Sequence, residues 1–270
     1  MDEAPPIVLS IAGFDPSSGA GVTADIKTIA ALGCYGVAAI TALTVQSTAG
    51  VLGVAPVDPE LLTSSLDELM RDVKVSAVHI GMLGRGETAD RVARFLQKYR
   101  PRNVVLDPVL KSSSGAPLLD HAGTEILIQR LLPAVDVITP NVDEASVLTG
   151  LKVGNPEQMG EAARRLHEMG AHAVVITGGH LDRAVDLLSV KGGDLEMLES
   201  EKLGCPNTHG TGCAFSTAIA CQLALGQDLR RAVQLAKSYV LQAIKDSYSI
   251  GKGPGPINHM SWKQWSGGKE

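Results

Sequence analysis

The 270-residue chain is 44% hydrophobic and 20% charged, the balance of an ordinary soluble globular protein. Its 24 basic and 29 acidic residues give a net charge of −5 with no basic run, which argues against nucleic acid as its main partner. Only 3% of residues are aromatic, so the core must be built from Val, Ile, Leu and Ala.

Residues 7–12 (IVLSIA) are a short unbroken apolar run, the signature of a buried parallel strand, and too short for a signal or membrane span. The start MDEAPP lacks a basic region, so the expectation is a cytoplasmic protein with no membrane partner. The segment GFDPSSGAG (13–21) is a loop, and a helix pattern follows to Leu32. Residues 36–45 are β-rich and break at QSTAG (46–50). A helix is expected over 59–71, with Asp58 as N-cap and Pro59 in its first position.

Strand and helix then alternate. Strands are expected at 75–80, 103–106, 135–138 and 173–176, with helices at 88–99, 123–132, 142–149 and 156–169 between them. Residues 185–190 and 195–198 read as an antiparallel hairpin. The stretch NTHGTGC (207–213) opens a small-residue helix, and 229–244 form another. Such alternation predicts one α/β domain over 1–270, with a mainly parallel sheet covered on both faces. Ligands of open α/β sheets bind at the carboxyl ends of the strands.

Several candidates fall there. Gly210 and Gly212 let the backbone approach a ligand closely, and the helix behind them points its first amides at an anion. Cys213 sits in that first turn, where a thiolate is expected to be stabilised. The cysteines 34, 205 and 221 read as buried small residues of a reduced protein. Asp107 ends a strand and reads as a turn aspartate or a functional carboxylate. Asn141 and Glu144 fit a capping box, and Glu144 fits equally a carboxylate that organises magnesium. The turn TGGH (177–180) is a weak signal alone, and Lys237 reads by default as a solvated lysine. Gln46 is more pointed, because its amide sets a donor beside an acceptor and so matches an aminopyrimidine edge. No GxxxxGK[ST] phosphate loop, dinucleotide fingerprint, HExxH or GxSxG motif occurs.

Taken together, SIAGFDPSSGAG (10–21) with ADIK (24–27), ITALTVQ (40–46), IGML (80–83), DPV (107–109), TPNVDE (139–144), THGTGC (208–213) and GKGPGP (251–256) resemble the hydroxymethylpyrimidine/phosphomethylpyrimidine kinases of thiamin biosynthesis. These belong to the ribokinase-like superfamily, which implies a three-layer α/β/α fold. The resemblance implies phosphorylation of 4-amino-5-hydroxymethyl-2-methylpyrimidine, and then of its monophosphate, with ATP and Mg2+, by a homodimer. It places Gln46, Gly13, Asp25 and Met82 near the pyrimidine. It places Asn141, Thr177, Gly178, Gly179, Thr211 and Lys237 on the nucleotide, and Asp107 and Glu144 on the metal. Cys213 takes the position of the base, with the amides of Gly210, Thr211 and Gly212 receiving phosphoryl charge. The family often has lysine where this chain has Thr177, which puts one phosphate contact in question. The rivals are a pyridoxine/pyridoxal kinase and a non-catalytic pyrimidine sensor on the same fold. The 115–117 region and the Pro-rich tail are lid candidates by composition.

Overall fold

The computed structural model describes residues 4–179, 184–201 and 203–261, so His180 of the glycine turn lies outside the described residues. In chain order the strands are β1 (Ile7–Phe14), β2 (Tyr35–Ser47), β3 (Gly50–Pro56), β4 (Val75–Ile80), β5 (Val104–Leu106), β6 (Val137–Ile138), β7 (Ala173–Ile176), β8 (Ala184–Val190) and β9 (Leu195–Ser200). The α-helices are α1 (Gly21–Ala31), α2 (Pro59–Asp72), α3 (Gly86–Tyr99), α4 (His121–Ile126), α5 (Val142–Thr149), α6 (Pro156–Glu168), α7 (Thr211–Ala224) and α8 (Leu229–Lys245). The strands form one sheet ordered β3-β2-β1-β4-β5-β6-β7-β8-β9. The run from β2 to β7 is parallel, while β3, β8 and β9 are antiparallel additions at the two edges.

The period-2 alternation of the strands assigns their side chains to two helical layers. Leu9, Ile11, Val78, Ile80, Leu106 and Ile138 pack in the layer with Leu62, Phe95, Leu131 and Leu166. Val8, Ala77, Val105 and Val137 pack in the other, against Phe215 and Ile219 of α7 and Tyr239 of α8. Continue that second set by two residues and the side chains become polar. Ser10, His79, Asp107 and Thr139 therefore all fall on the α7 face, toward the carboxyl ends of their strands. The contacts agree: Ser10 bonds Asp25 of α1, His79 bonds Asp25 and Thr217 of α7, and Thr139 lies 2.7 Å from Ser216 of α7.

Local chemistry starts the helices. Asp58 accepts from the amides of Glu60 and Leu61, with Pro59 in the first turn. Asn141 and Glu144 form a complete capping box on α5. For α7 there is no capping side chain; Gly210 turns the chain at φ +83°, and a Cβ there would collide with the carbonyl oxygen of Gly19.

Two elements differ from expectation. β2 does not break at 46 but runs through Gln46 to Ser47 and pairs antiparallel with β3, because the turn itself is only Thr48 and Ala49. The helix expected over 123–132 is α-helical only to Ile126. It then widens to a π turn (Leu127–Leu131) and tightens to a 3-10 turn (Leu132–Ala134), where Pro133 brings no amide hydrogen to continue the ladder. The Pro-rich tail is strapped down. Gly253 donates to Thr48 Oγ1, Gly255 donates to Asn207 Oδ1, and Gly255 and Ile257 bracket the backbone of His209.

Candidate active site

Two helix N-termini meet at the strand ends. α1 begins at Gly21 and α7 at Thr211, and Cys213 in the first turn of α7 receives a hydrogen bond from the Gly21 amide. First-turn amides have no intrahelical acceptor, so both helices present donors and positive dipole ends to this spot. Gly212 is exposed, and a Cβ there would meet nothing within 4 Å; the same holds for Gly179 across the site. Both glycines border open space that a ligand can enter.

The centre is rich in negative groups. Asp107 is 6% exposed at the end of β5, and Glu144 is 9% exposed on α5. Burial pushes Asp107 up to about 6, against the pull of His79 and a hydrogen bond from the Cys213 thiol. Burial and the charge of Asp107 push Glu144 up to about 8, despite bonds from the Asn141 and Leu110 amides. A buried carboxylate pair so destabilised suits a cation. Among the described residues no three His, Cys, Asp or Glu groups form a ready cage. The pair therefore fits a hard cation that keeps waters and completes its shell with phosphate oxygens, as Mg2+ does.

The stabilised thiolate expected from the helix terminus is overturned in the free protein. Cys213 is half-buried, and desolvation together with Asp107 and Asp25 pushes its thiol well above the ordinary value, outweighing the Gly21 amide. The thiol instead donates to Asp107. The local dipole loses to burial first, and then to two carboxylates that lie far away in sequence.

On one side of this centre Gly13 meets Met82, and Gln46 is linked to the neighbouring Phe14 through Thr44. A Cβ on Gly13 would sit 2.8 Å from Met82 Sδ, so only glycine leaves room there. Met82 packs with Ala42 and Leu118, and its carbonyl accepts from Thr41. Gln46 Oε1 is 3.1 Å from Thr44 Oγ1, and Thr44 also donates to the Phe14 carbonyl. Asp25, placed with this group by resemblance, is held by internal partners. It is fully buried and accepts from Ser10, Thr217 and His79, so its oxygens face protein on every side that these contacts define. It supports α7 from beneath.

On the other side, Asn141 and Thr177 pair across a parallel bridge, and the Thr177 amide donates to the Pro140 carbonyl. Lys237 is not a solvated lysine but is held beside the glycine turn by internal partners. Its Nζ is 2.6 Å from Asp186 Oδ2 and 2.5 Å from the Leu198 carbonyl, while Asp186 Oδ1 accepts from the Gly178 amide. Lys237 thus steadies the turn through Asp186.

Sequence reasoning misses His79, Asp15, His209 and Asp186. His79 carries the one signal that was available, a histidine within an apolar strand run, and desolvation is outweighed there by Asp25, which raises it. Asp15 and His209 lie 2.9 Å apart although 194 positions separate them. No spacing rule reaches that far.

The sequence model described as phosphomethylpyrimidine kinase matches residues 15–258. The chain is 44% identical to the Thiamine biosynthesis bifunctional protein ThiED of Geobacter sulfurreducens over 94% of its own length and 52% of that protein, so it spans about half of that relative. It is 39% identical to the hydroxymethylpyrimidine/phosphomethylpyrimidine kinase of Haemophilus influenzae, covering 95% of this chain and 97% of the relative. The crystal structure of an ADP complex of Bacillus subtilis pyridoxal kinase superposes with a TM-score of 0.89 at 34% identity, over 97% of this chain and 100% of that one. A glycine-rich anion turn, a buried carboxylate pair and a matching three-layer ribokinase-like fold thus agree with the sequence: the chain belongs to the phosphomethylpyrimidine kinase family.

Proposed function

We propose that this chain is a kinase that transfers phosphoryl groups from ATP to 4-amino-5-hydroxymethyl-2-methylpyrimidine and to its monophosphate. The observation that supports the reading is the cluster at the strand ends, where the Cys213 thiol bonds Asp107 and the charge of Asp107 acts on Glu144, whose capping partner Asn141 pairs with Thr177. The heterocycle lies against Met82 with its amidine-like edge on Gln46, and its hydroxymethyl oxygen faces Cys213. The nucleotide phosphates lie across Thr177, Gly178 and Gly179, with the amides of Gly210 to Gly212 receiving the transferred group. Asp107 and Glu144 hold Mg2+, which when bound supplies positive charge that offsets both carboxylates and the phosphate oxygens. In its thiolate form, its own proton having passed to water, Cys213 would accept the hydroxymethyl proton.

The pyridoxal kinase neighbour at TM-score 0.89 supports a second reading, pyridoxal as an alternative substrate. Gln46 weighs against it, since pyridoxal lacks a paired donor and acceptor edge, and an unpaired buried amide half costs about 1–3 kcal/mol. A coupled ADP-release assay with the pyrimidine, its monophosphate and pyridoxal separates the readings. Faster turnover of pyridoxal overturns the substrate assignment, and no turnover of either with Mg2+ present overturns the enzyme. Exposed Leu43, Val45 and Leu52 on the β2–β3 edge support a homodimer. Light scattering that returns the monomer mass overturns it.

A further inference from the structure

Gln46 touches the molecule through one contact on each side, Thr44 Oγ1 at 3.1 Å and His209 Nε2 at 3.4 Å. The oxygen and nitrogen of an amide have the same shape, so hydrogen-bond balance decides which faces which. Asp15 settles the His209 side. Its Oδ2 is 2.9 Å from His209 Nε2, and only a proton on Nε2 makes that contact attractive. Burial alone would raise the Asp15 carboxyl, yet the bonds from His209 and Ser17 outweigh it and hold it ionised below its ordinary value. An amide nitrogen facing Nε2–H would set donor against donor. Thr44 settles the other side, because its single hydroxyl proton has two acceptors and the Phe14 carbonyl, at 2.9 Å, is the nearer. The Thr44 oxygen is then free to accept. Both neighbours demand the same arrangement, the reverse of the placement in which Oε1 faces Thr44 and Nε2 faces His209: the Gln46 carbonyl oxygen toward His209 and its NH2 toward Thr44.

The Asp15–His209 pair is itself held in place. Ser17 binds Asp15 Oδ1 through amide and hydroxyl, and the Ala20 amide binds Oδ2. A Cβ on Gly19 would collide with the His209 ring, and the tail at Gly255 and Ile257 fixes the His209 backbone. We infer that Asp15 and His209 determine specificity: they set the polarity of the Gln46 amide, which then accepts an amine and donates to a ring nitrogen. A heterocycle presenting the reverse edge, a carbonyl beside a ring N–H, meets like against like. This rests on the reading of Gln46 as the group that binds the pyrimidine edge.

The test compares kcat/KM for the 4-amino pyrimidine and its 4-oxo, N3–H counterpart, which carries the same hydroxymethyl group. The wild type prefers the amine by about 100-fold or more. His209→Phe, which keeps the ring shape without the N–H, and Asp15→Asn, which frees the tautomer, each lose about tenfold or more of that preference, mainly through KM. His209→Gln retains it, because its amide can place an N–H near the lost Nε2. An unchanged preference in the Phe and Asn variants, with both substrates slowed alike, overturns the inference. If thermal melting shows His209→Phe unfolded, Asp15→Asn decides alone. Gln46→Leu separates the underlying reading: if it abolishes the preference while the other two leave it intact, only the inference falls. If Gln46→Leu also keeps the preference, Gln46 does not read the edge and both fall.

Discussion

Two sets of buried carboxylates lie under the same end of the sheet and are treated in opposite ways. Asp25 is fully buried and receives hydrogen bonds from Ser10, Thr217 and His79. Asp107 and Glu144 are nearly as buried, yet burial pushes both toward the neutral acid, and the charge of Asp107 adds to it at Glu144. A buried charge is tolerated when its lone pairs are filled, and Asp25 meets that condition from within the protein. The other pair stays raised despite its internal bonds, which supports the proposal that it binds a cation. The difference separates a support from a site: the same residue type serves as scaffold where its partners are internal, and as binding group where they must arrive from outside.

The contrast breaks first at Cys213, which joins the two regions because both Asp107 and Asp25 act on its thiol in the first turn of α7. Cys213→Ala is expected to lower kcat by about 10²–10⁴-fold with no loss of melting temperature, since it removes a proton acceptor from a half-buried position. Near-full activity would confine Cys213 to packing. Asp25→Leu should act the other way. It strands His79 and two hydroxyls in the interior, so urea unfolding should show about 3–5 kcal/mol of lost stability. A variant of wild-type stability would mean that Asp25 is no scaffold.

The legible parts are those whose causes are local. The βα succession reads from the apolar runs, and the α5 capping box reads from Asn141 and Glu144 three positions apart. The Asp58 cap reads as easily. Gln46 shows where local signals mislead: QSTAG has the composition of a loop, but edge pairing with β3 carries the strand to Ser47. Cys213 shows it again, because its helix terminus is local whereas Asp107 and Asp25 are brought in by strand order. Lys237 has no local mark of its partner, since Asp186 stands on a hairpin 51 positions earlier. The Asp15–His209–Gln46 triangle is the extreme case, assembled from a loop, the end of β2 and a helix entry.

Glu144→Gln sharpens the comparison through pH. Glu144 is raised from 4.5 to about 8, so between those values the free folded chain binds more protons than the unfolded one. Its stability therefore falls as pH rises through that window. The glutamine variant removes this penalty, and its melting temperature at pH 9 without Mg2+ should exceed wild type by roughly 2–8 °C. Its Mg2+ requirement should rise by about tenfold or more. An equal melting temperature at pH 9 would show that Glu144 is not held against its charge.

The smallest effect concerns the far edge of the site, where cationic charge is already spent internally. Lys237 is paired with Asp186, which also accepts from the Gly178 amide, so this ion pair shapes the turn and offers phosphate little net charge. Thr177→Lys adds a cation with no carboxylate assigned to it. In a partly exposed position such a charge contributes about 0.2–1 kcal/mol, which predicts a KM for ATP lower by roughly 1.5- to fivefold with kcat unchanged. The gain should shrink as salt is raised, because exposed charge is screened. Asp186→Asn provides the complementary change: it frees Lys237 and loosens the Gly178 turn at once. If phosphates lie against this turn, the two variants move the KM for ATP in different ways, one through charge and one through backbone order. If neither moves it, the nucleotide does not cross Thr177 and Gly178, and the assignment of that side of the site fails.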